Sequence, residues 1–581
     1  MDNGEKKISS LFDGRTIFKV PEYQRAYAWG EQQLSDFIED INNQKVDRSY
    51  FLGTVLFEEK GLEGNYDVID IVDGQQRITT IIIFMSVLIE KLRAMAETDD
   101  ELEDIGLLYE TYVKHRKQYK LRALEEDNDF FHSYILSDIN GKDFIRTPAQ
   151  RRLYDAKKYL SKKLSTLSKE ELETIKTKID ENSRILVYSV KDTAEATLIF
   201  ETTNDRGKGL TNLEKIKSFM MYKSYIASDD TPDSLLTKIR TRFSDIYKEH
   251  EKFNSSLDED SILQYHFVCY GNWTQKEYQQ HVQSVKNTVN TMISNGNHDQ
   301  AIKYIDQYTR ELKESFFATH ELLNSKIKPL RDIFLLTRVG NFWPLLLKTY
   351  KMDASNDKRH FTEVAKILAI FSFRVYAINE NRGNTGKSKL FSLAKKFKGD
   401  FENLTTSLKD ITNDYAPDKM FKGHLEDEYL YQWLAGRDLN FFFWKYENYL
   451  RVNIQPKASP MSEEELTNEN SKLKLSIEHI ACQTPKETVV TNIDTLPLID
   501  EEFEENHLHC IGNLTIDPLS ANSSKGNKNF DEKNEGYFLK APFKTQNELE
   551  NYLDHGKWTS KSIGERTERL IEFALVQWAI H

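Results

Sequence analysis

The stretch DVIDIVDGQQRITTIII, residues 67–83, constrains the fold more than any other part of this chain. Its β-branched run Val68, Ile69, Ile71 and Val72 reads as a buried strand. The apolar residues from Ile78 through Met85, Leu88 and Ile89 run on long enough for a buried helix. Gly74, Gln75, Gln76 and Arg77 separate the two directly after Asp73, so DGQQR is a strand-to-helix turn. The first N–H groups of a helix lack intrahelical partners and lie at the positive end of its dipole, which suits an anion and phosphate above all. Arg77 adds a forked donor. The structural alternative has Asp73 capping the helix and the glutamines facing solvent.

The 581 residues allow about three or four domains. No apolar run approaches a membrane span, and MDNGEKKISS has no signal-peptide core, so a cytoplasmic protein with no membrane partner is expected. Cys269, Cys482 and Cys510 are too widely spaced for a zinc pattern or a disulfide framework, which fits a reducing compartment. The net charge of −13 argues against a generally sticky nucleic-acid binder but leaves room for a local basic groove.

Residues 1–225 mix strands (51–59, 67–74, 184–190) with helices (35–41, after Gln75, and most of 148–182). From 226 to 430 the pattern is helical, and 431–581 opens helically, crosses a polar linker at 455–472 and becomes mixed. Within the middle region, Lys326 to Lys398 holds sixteen Lys and Arg against five Asp and Glu. A helical basic segment of this kind could line a duplex through phosphate neutralisation, or be a solvated face balanced by acids elsewhere. NRGNTGKS (381–388) ends like a phosphate-binding loop, but Asn381 stands where glycine is required and a helical pattern precedes it, so it reads as a polar loop.

DGQQR has company: VPEYQRAYAW upstream, YFLGTVLF before it, and FETTNDRGKGLTNLEKIK downstream. These blocks, in this order over about residues 8–225, resemble the N-terminal domain of the GmrSD-type modification-dependent restriction proteins, a family that includes SspE and BrxU and whose fold is similar to that of ParB. The resemblance implies Mg²⁺-dependent hydrolysis of a nucleoside triphosphate, with the base undetermined. By it, Arg25 and Arg77 contact phosphates, Asp73 binds or orients Mg²⁺ and the attacking water, and Gly74, Gln75, Gln76, Asn204 and Arg206 complete the nucleotide site. Tyr23 and Gln24 are its candidates for sensing a DNA modification.

A second constellation lies at 474–485, KLSIEHIACQTP, and 507–534, HLHCIGNLTIDPLSANSSKGNKNFDEKN. A ββα metal finger needs one strand to present an acid and a histidine, a second to present an asparagine, and a helix to return another ligand. The stretch resembles the HNH (His-Me finger) nuclease domain of the same family. The resemblance makes His479 the general base and Asn513 the residue that orients it, gives Glu478 and Asn522 to Mg²⁺, and sets Lys525 and Lys528 against the DNA backbone.

The expected architecture is therefore α+β and multidomain: a ParB-like mixed α/β domain (1–225), a helical connector (226–430) and an HNH nuclease domain (431–581). The expected function is triphosphate-coupled, Mg²⁺-dependent cleavage of modified double-stranded phage DNA, with room for a homodimer. The alternative is a nucleotide-switched DNA-binding protein whose HNH-like end is inactive and which recruits another effector.

Overall fold

The computed structural model describes residues 3–46, 48–190, 210–228, 232–253, 257–274, 277–454, 459–470, 474–483 and 501–580. The chain divides into two compact units, Met1–Leu323 and Asn324–His581. The boundary falls inside the stretch expected as one helical connector, which is thus shared between them. Mixed α/β structure with a helical middle region is what the fold contains.

In the first unit a six-stranded sheet runs in the order Gly4–Lys7, Ser183–Val190, Tyr50–Glu63, Tyr66–Asp73, Thr16–Lys19, Leu121–Arg122. Three of these strands are those legible from the β-branched runs. The helix Gln75–Ala94 is apolar on nearly all faces, with Ile78, Ile81, Ile82, Phe84, Met85 and Leu88 buried, so it lies inside the unit as its sequence requires. Thr16–Lys19 pairs parallel to Tyr66–Asp73, with Ile17 opposite Val68. Parallel neighbours end at the same edge, so the segment after Lys19 and the DGQQR turn emerge side by side. Helices from Asn212 onward pack around Leu213, Ile216, Ile239, Phe243, Leu263, Leu312 and Phe316.

In the second unit, helices gather around Phe373, Phe442, Tyr446, Phe573 and Trp578. Against the same core lies a two-stranded antiparallel sheet, Leu475–His479 with Leu514–Pro518, followed by the helix Leu519–Lys525. The basic stretch is partly consumed by this folding. Lys348 is buried with its Nζ on the Ala394 and Lys395 carbonyls, Arg374 is buried on Asp418, Arg338 forms a two-pronged pair with Asp438, and Arg331 meets Glu463. NRGNTGKS is the turn before the helix Lys387–Lys396, preceded by helical turns ending at Ile378 rather than by a strand. The three cysteines are free and buried. Among the described residues no helix is long and apolar enough to cross a membrane.

Candidate functional site

The turn after Tyr66–Asp73 is built on Gly74, whose φ of 88° opens the helix. A Cβ there would lie 2.6 Å from Val55 Cγ1, so both the backbone conformation and the space demand glycine. Gly74→Ala is expected to destabilise the unit by about 2 kcal/mol, the left-handed conformation and the clash acting together, and to lower its melting transition in calorimetry of the full chain. Asp73 leads into the helix: its Oδ1 accepts from the N–H of Gly74, the N-cap residue, at 2.8 Å. The glutamines do not face water. Gln75 Nε2 donates to the Arg25 carbonyl at 3.0 Å, while Gln76 donates to the Ala26 carbonyl at 3.2 Å and accepts from the Ala28 N–H at 2.8 Å. Both amides lace the VPEYQRAYAW loop to the helix.

Arg77 reaches the Thr54 carbonyl at 3.0 Å, its guanidinium lying over Gly53. Burial lowers its pKa from the usual arginine range, and the Asp73 carboxylate opposes that shift. Arg25 pairs with Glu214 at 3.1 Å. Tyr23 and Gln24 are buried, Gln24 donating to the Val72 carbonyl at 2.6 Å. Asn204 and Arg206 lie outside the described residues.

Sequence reading missed Lys217. It sits fully within the fold, with its Nζ 3.2 Å from the Tyr23 carbonyl and 3.4 Å from Gln24 Oε1, and burial pulls its pKa down to about 8 against the pull of Glu214. Arg240 stacks over the Tyr23 ring at 4.8 Å. The available signal was a lysine on an apolar helical stripe, four residues after Leu213 and three before Met220. Three buried or half-buried cations, Arg25, Lys217 and Arg240, thus stand behind the turn with Glu214, Asp73 and Glu58 near them, a cluster in which opposite charges offset one another.

In the second unit, His479 ends its strand, and the turn that follows is clamped by Asn513. Asn513 Oδ1 accepts from the Ala481 N–H at 2.9 Å and from Trp558 Nε1 at 3.1 Å, while its Nδ2 donates to the Leu508 carbonyl at 2.9 Å. Asn513 therefore fixes the backbone beyond His479 rather than the imidazole itself. Burial lowers the His479 pKa to about 3, with His509 and Lys533 adding to the shift. Glu478 is buried against Lys533 Nζ at 2.7 Å, and burial raises its pKa. Asn522 donates from Nδ2 to Ser476 Oγ and to the Ile477 carbonyl, each at 3.0 Å. A carbonyl only accepts, so the amide nitrogen must face the strand, and the amide oxygen is the atom Asn522 can offer a cation.

A buried carboxylate on the strand and an amide oxygen from the helix Leu519–Lys525 are hard donors that fit Mg²⁺ in chemistry, and the Glu478 Oε1 atom has no aligned hydrogen bond. Among the described residues no group of three His, Cys, Asp or Glu forms a ready metal cage. Lys525 is 2% exposed and pairs with the buried Asp517 at 2.8 Å, so its ammonium is committed inside the fold. Lys528 lies near the surface, bonded to the Tyr537 hydroxyl at 2.6 Å.

Two family models match the chain: the N-terminal domain of the GmrSD restriction endonuclease over residues 8–221, and the C-terminal domain of the GmrSD restriction endonucleases over 415–573. The chain belongs to the GmrSD restriction endonuclease family. No curated protein matches it. Both constellations fall inside the matched segments: DGQQR in the GmrSD N-terminal domain, and Glu478, His479, Asn513 and Asn522 in the GmrSD C-terminal domain. Membership makes this a protein of a restriction endonuclease family, which implies DNA binding.

Proposed function

We propose that the protein is a modification-dependent restriction enzyme of anti-phage defence. In this reading the first unit binds and hydrolyses a nucleoside triphosphate at DGQQR, and the second cuts modified foreign DNA in an HNH-type site. The observation that carries the reading is the strand-end His479 beside the buried Glu478, on a hairpin clamped by Asn513 and backed by Asn522. Glu478 and Asn522 would hold Mg²⁺, which supplies charge stabilisation at a scissile phosphate when bound. His479 is neutral at pH 7 and so carries the lone pair a base needs. It takes a proton from water, the water oxygen's electron pair goes to phosphorus, one phosphodiester P–O bond breaks, and the leaving oxygen takes a proton from solvent. A pKa near 3 marks a weak base; a DNA phosphate brought beside it favours the imidazolium and raises its basicity.

The rival reading, a nucleotide-switched binding protein with an inactive nuclease end, draws on one feature: Lys533 already neutralises Glu478. Incubating hydroxymethylated, glucosylated, phosphorothioate and unmodified plasmids with Mg²⁺, with and without each triphosphate, separates the two. Cutting of a modified plasmid alone supports the enzyme; binding without cutting supports the rival.

DNA affinity is expected to draw on the basic residues of the second unit that remain exposed. Reversing Lys366, Lys396 and Lys398 to Glu should weaken plasmid binding and flatten its salt dependence by a slope of about 3, read from binding curves at several salt concentrations. Unchanged curves would place the DNA elsewhere.

A further inference from the structure

We infer that His509 is the positioning residue that orients the His479 imidazole for proton abstraction. The inference rests on the nuclease reading above and names a part that reading leaves unassigned. Asn513 makes its hydrogen bonds to the Ala481 backbone, the Leu508 carbonyl and Trp558, so the ring of His479 has to be held by something else.

Among the described residues, the hydrogen bonds of the His479 ring fall on Nε2: His509 Nδ1 lies 3.3 Å from it and the Gln483 amide also 3.3 Å. The two imidazoles meet edge to face, centroids 5.4 Å apart at 84°. Tyr431 fixes both, lying parallel to His509 and edge-on to His479 with centroids 4.4 Å apart. A base that takes its proton at Nδ1 needs the hydrogen on Nε2 and an acceptor facing it. His509 Nδ1 is that acceptor when His509 carries its own hydrogen on Nε2, and a half-turn of the Gln483 amide brings its oxygen to the same N–H. The arrangement follows a general logic in which a third group holds the base in one tautomer and one orientation.

The mount under His509 is rigid. The Tyr431 N–H donates to the His509 carbonyl at 3.1 Å, and Asn513 holds the Leu508 carbonyl one residue before it. Arg566, wholly buried, donates from Nη1 to the Gly512 and Leu514 carbonyls at 2.8 and 2.7 Å. A Cβ on Gly512 would lie 2.3 Å from the Ile563 carbonyl oxygen, so the turn is pressed onto the helix Ser560–Gln577. The backbone on both sides of His509 is thus held, which leaves its ring a fixed angle to the His479 imidazole.

The test compares His509→Asn, whose amide oxygen can stand near the Nδ1 position, with His509→Leu, which keeps bulk and loses the acceptor. The readouts are the single-turnover cutting rate and the DNA dissociation constant of the full chain, on whichever plasmid the parent cuts fastest. His509→Leu should cut about 10–100-fold more slowly with DNA binding within about twofold, and His509→Asn should recover to within about threefold of the parent. Leu cutting like the parent, or Asn as slow as Leu, overturns the inference. If Leu lowers the melting transition of its unit, His509→Ala takes its place and the comparison with Asn stands. His479→Ala run alongside tells two failures apart. If that variant is inert while His509→Leu is unaffected, only the positioning role falls; if it still cuts, the nuclease reading falls and the inference with it.

Discussion

His479→Ala should reduce DNA cutting by about 10²–10⁴-fold, the range a positioned general base supplies. Triphosphate hydrolysis should stay near the parent's, because His479 and Asp73 belong to different compact units with separate cores. The fold should survive: the ring is buried beside Tyr431 and His509, but the hydrogen bonds that hold its turn belong to the backbone, to Asn513 and to Lys533, whose Nζ donates to the His479 carbonyl at 2.7 Å. Nicking of modified plasmid and phosphate release, measured on one preparation, decide the matter. Parent-like cutting would remove His479 from the chemistry. Joint loss of both activities would mean that the nuclease site governs the nucleotide site, a coupling that independent units do not require.

The sequence carried the order of elements around both sites because their signals are local. A β-branched run, a glycine and an apolar helix specify the DGQQR turn by their own conformational preferences, and the turn is there with Gly74 left-handed as the space demands. Side-chain commitments were not legible, because they depend on partners distant in the chain. Gln75 and Gln76 read as ligands or as solvated residues, and only the parallel pairing of Thr16–Lys19 with Tyr66–Asp73 brings the 25–28 backbone close enough to claim their amides. Lys525 differs in that its partner Asp517 is close in the chain: a lysine in a polar, glycine-containing stretch reads as exposed, and only the strand-to-helix corner at Pro518 turns its ammonium back onto Asp517. His509 lies four residues before Asn513, and nothing in a linear pattern says that two histidines thirty residues apart face each other. The surplus of cations at 326–398 was a correct count that overstated the exposed charge, because Lys348 and Arg374 are interior residues tied to carbonyls and a carboxylate.

Arg77→Ala and Asp73→Ala are the substitutions that divide a working nucleotide site from a structural joint. If the turn binds a triphosphate, Arg77 lies where charge develops during phosphoryl transfer, and its loss should lower hydrolysis by about 10³-fold or more. Asp73→Ala should do so as well, by removing the carboxylate that would orient Mg²⁺ and water. The geometry also gives both residues a structural share. Arg77 donates to the Thr54 carbonyl and Asp73 accepts from the Gly74 N–H, each bond contributing about 1 kcal/mol to stability. A purely structural role therefore predicts a modest drop in melting temperature and hydrolysis reduced only in proportion to the folded fraction. Arg77→Lys sharpens the distinction, since it keeps the charge and loses the planar fork. It should retain most of the stability and little of the hydrolysis if the fork meets a phosphate. Phosphate release measured at saturating ATP, GTP, CTP and UTP, beside melting curves of the same variants, reads both quantities. Hydrolysis that survives in both alanine variants would leave DGQQR as the joint that laces the 25–28 loop to its helix, and would move any triphosphate chemistry away from this turn.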